Sequence, residues 1–514
     1  MTVPTRWIAP TLIGCAIAAF VASLPFRGTN LWGVWLLDVA DAFWRLRHES
    51  GDASAAYANP HGIFPLLPWL SALVDDRDAT LGALRVLSAV SAGFLVAVAY
   101  RWAASVAGWV AGLSASILLA SAPPFLAAVT QPGLTAPVAA SLVVVWSLTR
   151  ATCRDARWTP LLWLASAVAA QLSAMGWWLW LPLLWFVMVR PSHGVSYGLV
   201  RLREVPIGAL MAPVVGIGSL LAHPWFREHT ADRIGELLSV WLRRPAEPVL
   251  AEFVLFGSER IPWWLPLRAL WADVPMMFTL LFGLVAVRIA LGFVLSGWSQ
   301  TLKLGPSDAL RWLVGAFVAA AVLPVVLRST FNSGLSLSLF VLVPGAALAG
   351  LWTSWAVHSA PAVPKNWLGG ALIFALAVLS VPDALRSWPV PESYASELVG
   401  GVVGNVEAGY SRCQHAALPP RVYSALETAA PSRRIAILSN AWEAAPTLQR
   451  YAAIAADSAW QMVDVHDADA VLVVYDDALP ELYQTVQNLA DMGLEPAWEL
   501  SIDGVRLYAV YRLP

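Results

Sequence analysis

Residues 36–48 read Leu-Leu-Asp-Val-Ala-Asp-Ala-Phe-Trp-Arg-Leu-Arg-His. Asp38, Asp41, Arg45 and His48 recur there at three- and four-residue steps, which puts them on one face of a helix. Leu36, Val39, Phe43 and Leu46 make an apolar face on the other side. Such a helix lies in a membrane interface with its polar side toward water or a cleft. A carboxylate held at that boundary can take the proton from an acceptor hydroxyl as a general base. A nearby cation can receive the charge of a departing phosphate. Asp38 is the candidate base, with Asp41 in reserve. The plainer alternative is that both aspartates solvate the outer face and that Asp41 pairs with Arg45 one turn on.

Candidate partners for a phosphate lie in three places. His61 sits in the proline-broken run Asn59-Pro60-His61-Gly62-Ile63-Phe64-Pro65-Leu66-Leu67-Pro68-Trp69-Leu70, where it can donate to phosphate or merely cap an irregular turn. Arg85 stands early in an apolar span, and an ionisable residue in a span is a functional candidate. Its alternative is snorkelling to the interface. Arg268 follows Trp263 and Trp264, with Arg243, Arg244 and Arg260 upstream. Cations beside aromatics suit a phosphate with a sugar stacked nearby, although Trp and Arg are also ordinary anchors at a membrane boundary. Asp273 is a second carboxylate candidate at the start of the following span.

The elements that must position these residues are membrane spans. Hydrophobic residues make up 58% of the 514, and charged residues 13%, against roughly 25% in soluble domains. Mean hydropathy is +0.63. Spans of roughly 20 apolar residues fall near 7–26, 80–100, 107–127, 133–149, 158–173, 176–189, 205–222, 270–295, 311–327, 334–356 and 366–382, about 11 in all. The stretch 158–190 is ambiguous in length, and charge decides it. Arg150, Arg154 and Arg157 precede it while Arg190, Arg201 and Arg203 follow it, so both flanks are cytoplasmic and the chain crosses twice, turning near Met175-Gly176. Arg6, Arg101, Lys303, Arg311 and Lys365 fall on the same side. The N-terminus is then cytoplasmic, with residues 7–26 an uncleaved first span, and 27–79 and 223–269 are long outer loops. A net charge of −2 gives no reason to expect nucleic acid as a partner, and Cys15, Cys153 and Cys413 form neither a metal spacing nor a disulfide framework.

Beyond about residue 395 the composition changes. Apolar runs at 434–438 and 470–475, helical patterns at 443–456 and 479–491, and strands at 495–500 and 505–512 turned by Asp503-Gly504 predict a small extracytoplasmic α/β domain over 431–514. Residues 383–430 read as a linker, and residues 1–382 as the transmembrane domain. Asp464, Asp467, Asp469, Asp476 and Asp477 read as a solvated rim, having no recognisable metal order.

The order of features resembles the GT-C membrane glycosyltransferases related to protein O-mannosyltransferases and lipid A aminoarabinose transferases. Asp38, Gly51-Asp52 and Pro65-Leu66-Leu67-Pro68-Trp69-Leu70 stand in the order of that family's first outer loop. Leu84-Arg85-Val86-Leu87-Ser88-Ala89 is similar to its Arg-Leu-Pro-Ser-Ala segment. Ala107-Gly108-Trp109-Val110-Ala111-Gly112-Leu113, Ser121-Ala122-Pro123, His223-Pro224-Trp225 with Arg233, and the run from Tyr394 to Gly404 resemble later segments. The likeness covers most of the chain.

The resemblance implies an α-helical polytopic membrane protein of the GT-C type. It implies transfer of a sugar from a polyprenyl-phosphate donor to an extracytoplasmic glycan, lipid or protein, at the outer face of a bacterial inner membrane. Related transferases often work without a catalytic metal and some need a divalent one, so the metal requirement stays open, as does the oligomeric state. The sequence also departs from the family. Val39 stands where many members have a second acidic residue, Ile63 where a lysine is usual, Gln131-Pro132-Gly133 where charged residues are common, and Met175-Gly176 where Lys-Gly is common. Asn332-Ser333-Gly334 to Pro344 keeps the shape of a late motif without its basic residue. These substitutions motivate a second reading, a catalytically silent relative that binds a lipid-linked glycan or a partner. A lipid or glycan transporter is the third, although no inverted repeat of broken helices is visible.

Overall fold

The computed structural model describes residues 5–24, 77–130, 135–172, 206–221, 274–301, 310, 312–318, 333–360, 364–386, 403, 420–438, 460–474, 488–502 and 504–513. Its first part is helical: α1 Thr5–Ser23, α2 Arg77–Ala107, α3 Trp109–Ser121, α4 Pro123–Thr130, α5 Thr135–Arg154, α6 Thr159–Leu172, α7 Ile207–Leu221, α8 Met276–Thr301, α9 Ser333–Ser359 and α10 Lys365–Arg386, with residues 312–318 also helical. Each falls on a stretch read above as a span; the stretch 176–189 lies outside the described residues. Three helical segments are long and apolar enough to cross a membrane singly: Ala83–Ala107, Ala136–Arg154 and Val341–Ser359. A fourth crossing results if α3 and α4, bent by 65°, count as one broken span.

The break is built so that few backbone groups are stranded. Pro123 and Pro124 open α4, and proline has no N–H to leave unpaired at a helix start. The Leu126 N–H donates to the Ala122 carbonyl at 3.0 Å, and the Ser121 hydroxyl donates back to the Ile117 carbonyl at 2.8 Å. In lipid, where water cannot satisfy orphaned groups, such local partners are what permit a bend.

Small residues set the packing, as expected where apolar burial gives no preference for helix over lipid. Gly14 of α1 and Gly93 of α2 meet backbone to backbone: a Cβ on Gly14 would sit 2.8 Å from the Gly93 carbonyl oxygen. Gly112 of α3 lies under the Tyr100 ring, and Gly350 of α9 faces Ala111 and Ala115. The Thr353 hydroxyl donates to the Ser114 hydroxyl at 2.7 Å inside this close contact. The outward faces carry Leu12, Val90, Trp367 and Phe374, all exposed, as a lipid-facing surface requires.

Contacts along the helices fix their directions. Trp7 lies near Arg101, Gly14 against Gly93 and Ala22 near Arg85, so α1 and α2 are antiparallel. Ser354 bonds the Ala107 carbonyl and Gly350 meets Ala111, so α9 runs against α3. Gly345 meets Phe278 and Trp355 meets Arg288, so α8 runs parallel to α9. The Trp163 indole donates to the Gly208 carbonyl at 2.7 Å, and Ser219 reaches the Ala167 carbonyl at 3.5 Å, so α6 and α7 also run the same way. Parallel α6 and α7 are what one return crossing between them would give.

The C-terminal part is a five-stranded mixed sheet of order β2-β1-β3-β5-β4, with β1 Arg434–Leu438, β2 Gln461–Met462, β3 Ala470–Val474, β4 Pro496–Ile502 and β5 Val505–Arg512. β1 is parallel to β2 and β3; β5 is antiparallel to β3 and β4. Ile502 pairs with Val505 across the tight turn, and Gly504 adopts φ 82°, the left-handed geometry this hairpin needs. Successive side chains go to opposite faces, and both faces are covered, so the central strands are apolar throughout. Ala436, Val471, Val473, Ala509 and Tyr511 pack with Leu489 on one side.

On the other side Ile435, Leu472, Tyr508 and Val510 pack with Val422 and Leu426 of helix α11, Pro420–Ala429. Helix α11 therefore packs as part of this unit, although it lies inside the stretch read as a linker. β2 was also not anticipated: its two residues are too few for a period to show. Leu426→Ala is expected to destabilise this unit by about 2–5 kcal/mol, because the leucine is fully buried. The check is an earlier urea transition of the sheet while the helical bundle keeps its ellipticity.

Candidate functional site

The two ends of the helical bundle differ in chemistry. At one end stand the α2–α3 turn at Ala107 and Gly108, the start of α1 and the start of α10. Gly369 of α10 packs there against Val110 and Val357. Cations gather toward this end: Arg101 lies 5.3 Å from the Trp7 ring, Arg288 4.7 Å from the Trp355 ring, and Lys365 opens α10. Arg150 lies 5.9 Å from the ring of Trp312, which itself packs 4.9 Å from Trp146. Arg288 was not singled out from the sequence, although a lone charge in the apolar run 276–296 was a usable signal.

At the opposite end α1 finishes and α2 begins. Because α8 is parallel to α9, and α9 runs against α3, the first turn of α8 reaches this end too. Leu24, Arg77 and Val274, which flank the intervals 25–76 and 222–273 in sequence, therefore stand toward one end, opposite Arg101 and Lys365. The first interval holds Asp38, Asp41 and His61; the second holds Trp263, Trp264, Arg268 and Asp273. These residues, with Arg243, Arg244 and Arg260, lie outside the described residues.

Arg85 is described, and its partners are specific. A helix end leaves its last carbonyls without intrahelical partners. At the end of α1 the Ser23 hydroxyl donates to the Phe20 carbonyl at 2.7 Å, and the Leu24 N–H donates to the Val21 carbonyl at 3.3 Å. The Arg85 guanidinium then donates to the Ala22 carbonyl at 3.1 Å and to the Leu24 carbonyl. Its charge sits at the negative end of the α1 dipole, where a cation is stabilising. Arg85 is half-buried, so the contact is partly screened from solvent.

In the sheet unit, Asp464 and Asp467 are exposed, and Arg434 lies 3.9 Å from the Asp467 carboxylate. Ser432 bonds the Asp469 carboxylate. Among the described residues no group of three or more His, Cys, Asp or Glu side chains is placed to hold a metal ion. Asp476 and Asp477 lie outside the described residues.

No family model matches the chain, and no curated protein matches it. Among solved structures, it is similar to ArnT from Cupriavidus metallidurans bound to undecaprenyl phosphate, at 14% identity and a TM-score of 0.42, covering 97% of this chain and 97% of that chain. It is also similar to ArnT from the same organism in the apo state, at 14% identity and a TM-score of 0.43, covering 99% of this chain and 98% of that chain.

Proposed function

We propose that this chain is an integral inner-membrane glycosyltransferase that moves a sugar from a polyprenyl-phosphate donor to an acceptor hydroxyl outside the cytoplasm. The observation that carries the reading is the shared end: Leu24, Arg77 and Val274, which flank the intervals holding Asp38 and Arg268, stand opposite the end that bears Arg101, Arg288 and Lys365. By the positive-inside rule, counted over the short connections, the end with Arg101, Arg288 and Lys365 is cytoplasmic, so the shared end is outer. The end of α10 reaches that side as well, since it starts at the cytoplasmic end and runs on to contact α4. The sheet unit that follows is accordingly assigned outside.

In this reading Asp38 takes the proton from the acceptor hydroxyl, with Asp41 in reserve. The hydroxyl oxygen forms a bond to the sugar's anomeric carbon as the bond from that carbon to the phosphate oxygen breaks, with inversion. Polyprenyl phosphate leaves, and His61 and Arg268 offset its charge. Trp263 and Trp264 stack on the sugar, and the apolar helices receive the prenyl chain. The neutral residues at Val39, Ile63 and Met175 favour a silent relative as the second reading.

Proteoliposomes of the purified protein, supplied with prenyl-phosphate-linked sugars and envelope acceptors, are expected to release prenyl phosphate and form a glycosylated product. Binding without product with every donor would establish the silent relative. Donor movement across the bilayer without product would establish transport.

A further inference from the structure

We infer that Arg85 is a positioning residue of this site: it holds the last carbonyls of α1, and so fixes where the chain sets out toward Asp38, in place of binding donor phosphate. What it positions rests on the glycosyltransferase reading; that it holds α1 does not.

Three contacts fasten α1 along α2. Trp7 meets Arg101 at the cytoplasmic end, Gly14 meets Gly93 midway, and Arg85 grips Ala22 and Leu24 at the outer end. The third is at the end of α1 from which the sequence continues toward Asp38. The local bonds from Ser23 and Leu24 serve Phe20 and Val21, and leave the Ala22 and Leu24 carbonyls to a partner from outside the helix. Pro25 comes next and cannot extend the helix by donating an N–H. Both bonds come from one guanidinium nitrogen, Nη2, whose two N–H donors can serve two carbonyls at once. Fixing the point of departure matters because a misplacement of about 1 Å can cost on the order of 100-fold in rate.

The test uses the full chain in nanodiscs as wild type, Arg85→Lys and Arg85→Gln. Hydrogen exchange is read over residues 18–26, binding is titrated with undecaprenyl phosphate itself, and transfer kinetics are measured with a prenyl-phosphate sugar. Arg85→Gln is expected to speed exchange at Ser23 and Leu24 by about tenfold, as a frayed last turn would. Undecaprenyl phosphate affinity and donor KM should stay within about twofold, while kcat falls about 100-fold. Arg85→Lys keeps the charge at the helix end and should restore part of both the protection and kcat. A tenfold loss of undecaprenyl phosphate affinity with unchanged exchange would overturn the assignment and make Arg85 a phosphate ligand. Unchanged exchange with unchanged kinetics would overturn it too. If the wild type neither binds undecaprenyl phosphate nor transfers sugar, the glycosyltransferase reading falls, and the exchange comparison still decides whether Arg85 holds α1.

Discussion

Asp38→Asn is expected to lower sugar transfer by about 100- to 10,000-fold, the usual contribution of a positioned general base. The substitution keeps the size and planarity of the side chain and removes its capacity to take a proton near neutral pH. Binding of the donor lipid should change little, because the phosphate contacts are assigned to other residues. Protein level in the membrane should also hold, since the two side chains are nearly isosteric. Asp41→Asn should reduce transfer by much less if Asp41 stands only in reserve. The measurement is the initial rate of product formation in membranes, normalised to protein by immunoblot. Transfer that persists in Asp38→Asn would remove the base assignment. Transfer lost equally in Asp41→Asn would make the two carboxylates a working pair.

The second large effect is structural and needs no assay of activity. Gly93→Ala is expected to destabilise the bundle by roughly 1–3 kcal/mol or more, the cost of overpacking a close contact. A Cβ at that position would press into the Gly14 carbonyl and stand 3.0 Å from the Ala18 Cβ. The obstacle is backbone, which cannot swing aside as a long side chain can. Gly370→Ala is the contrast: nothing lies within 4 Å of its Cβ position, and α10 is helical there. Removing glycine from a helix interior should then be neutral or stabilise by about 0.5–1 kcal/mol. Melting temperatures of the two variants in detergent should therefore move in opposite directions or by very different amounts. Equal shifts would mean that α1 and α2 are not packed at Gly14 and Gly93.

Some of this was legible in the residues. The apolar lengths of α2, α5 and α9 mark them as spans because a helix of that composition has no other low-energy environment. The runs Arg434–Leu438 and Ala470–Val474 were readable as buried strands because both of their faces are covered. The grouping of Arg101 and Lys365 on one side followed from charge alone, and the contacts of α2 and α10 agree with it. Helix α11 was missed because its polar positions, including Arg421, Ser424 and Glu427, match a solvated linker until its apolar face meets a sheet. The 65° break between α3 and α4 was not read either: Pro123 and Pro124 mark a helix start, but how far the axis turns depends on what packs around it.

By itself, then, the sequence pointed to a membrane chain, to the stretches that form its apolar helices, to the side its cations favour, and to Asp38 as a candidate base. Those follow from local composition and period, where the free energy of placing a side chain in lipid or water decides the outcome. Only the tertiary structure decided that α1 meets α2 glycine to glycine, and that Arg85 spends its donors on carbonyls 63 and 61 residues away. Such partners are chosen by how glycine-lined helices seat against one another, and no short window of sequence carries that geometry.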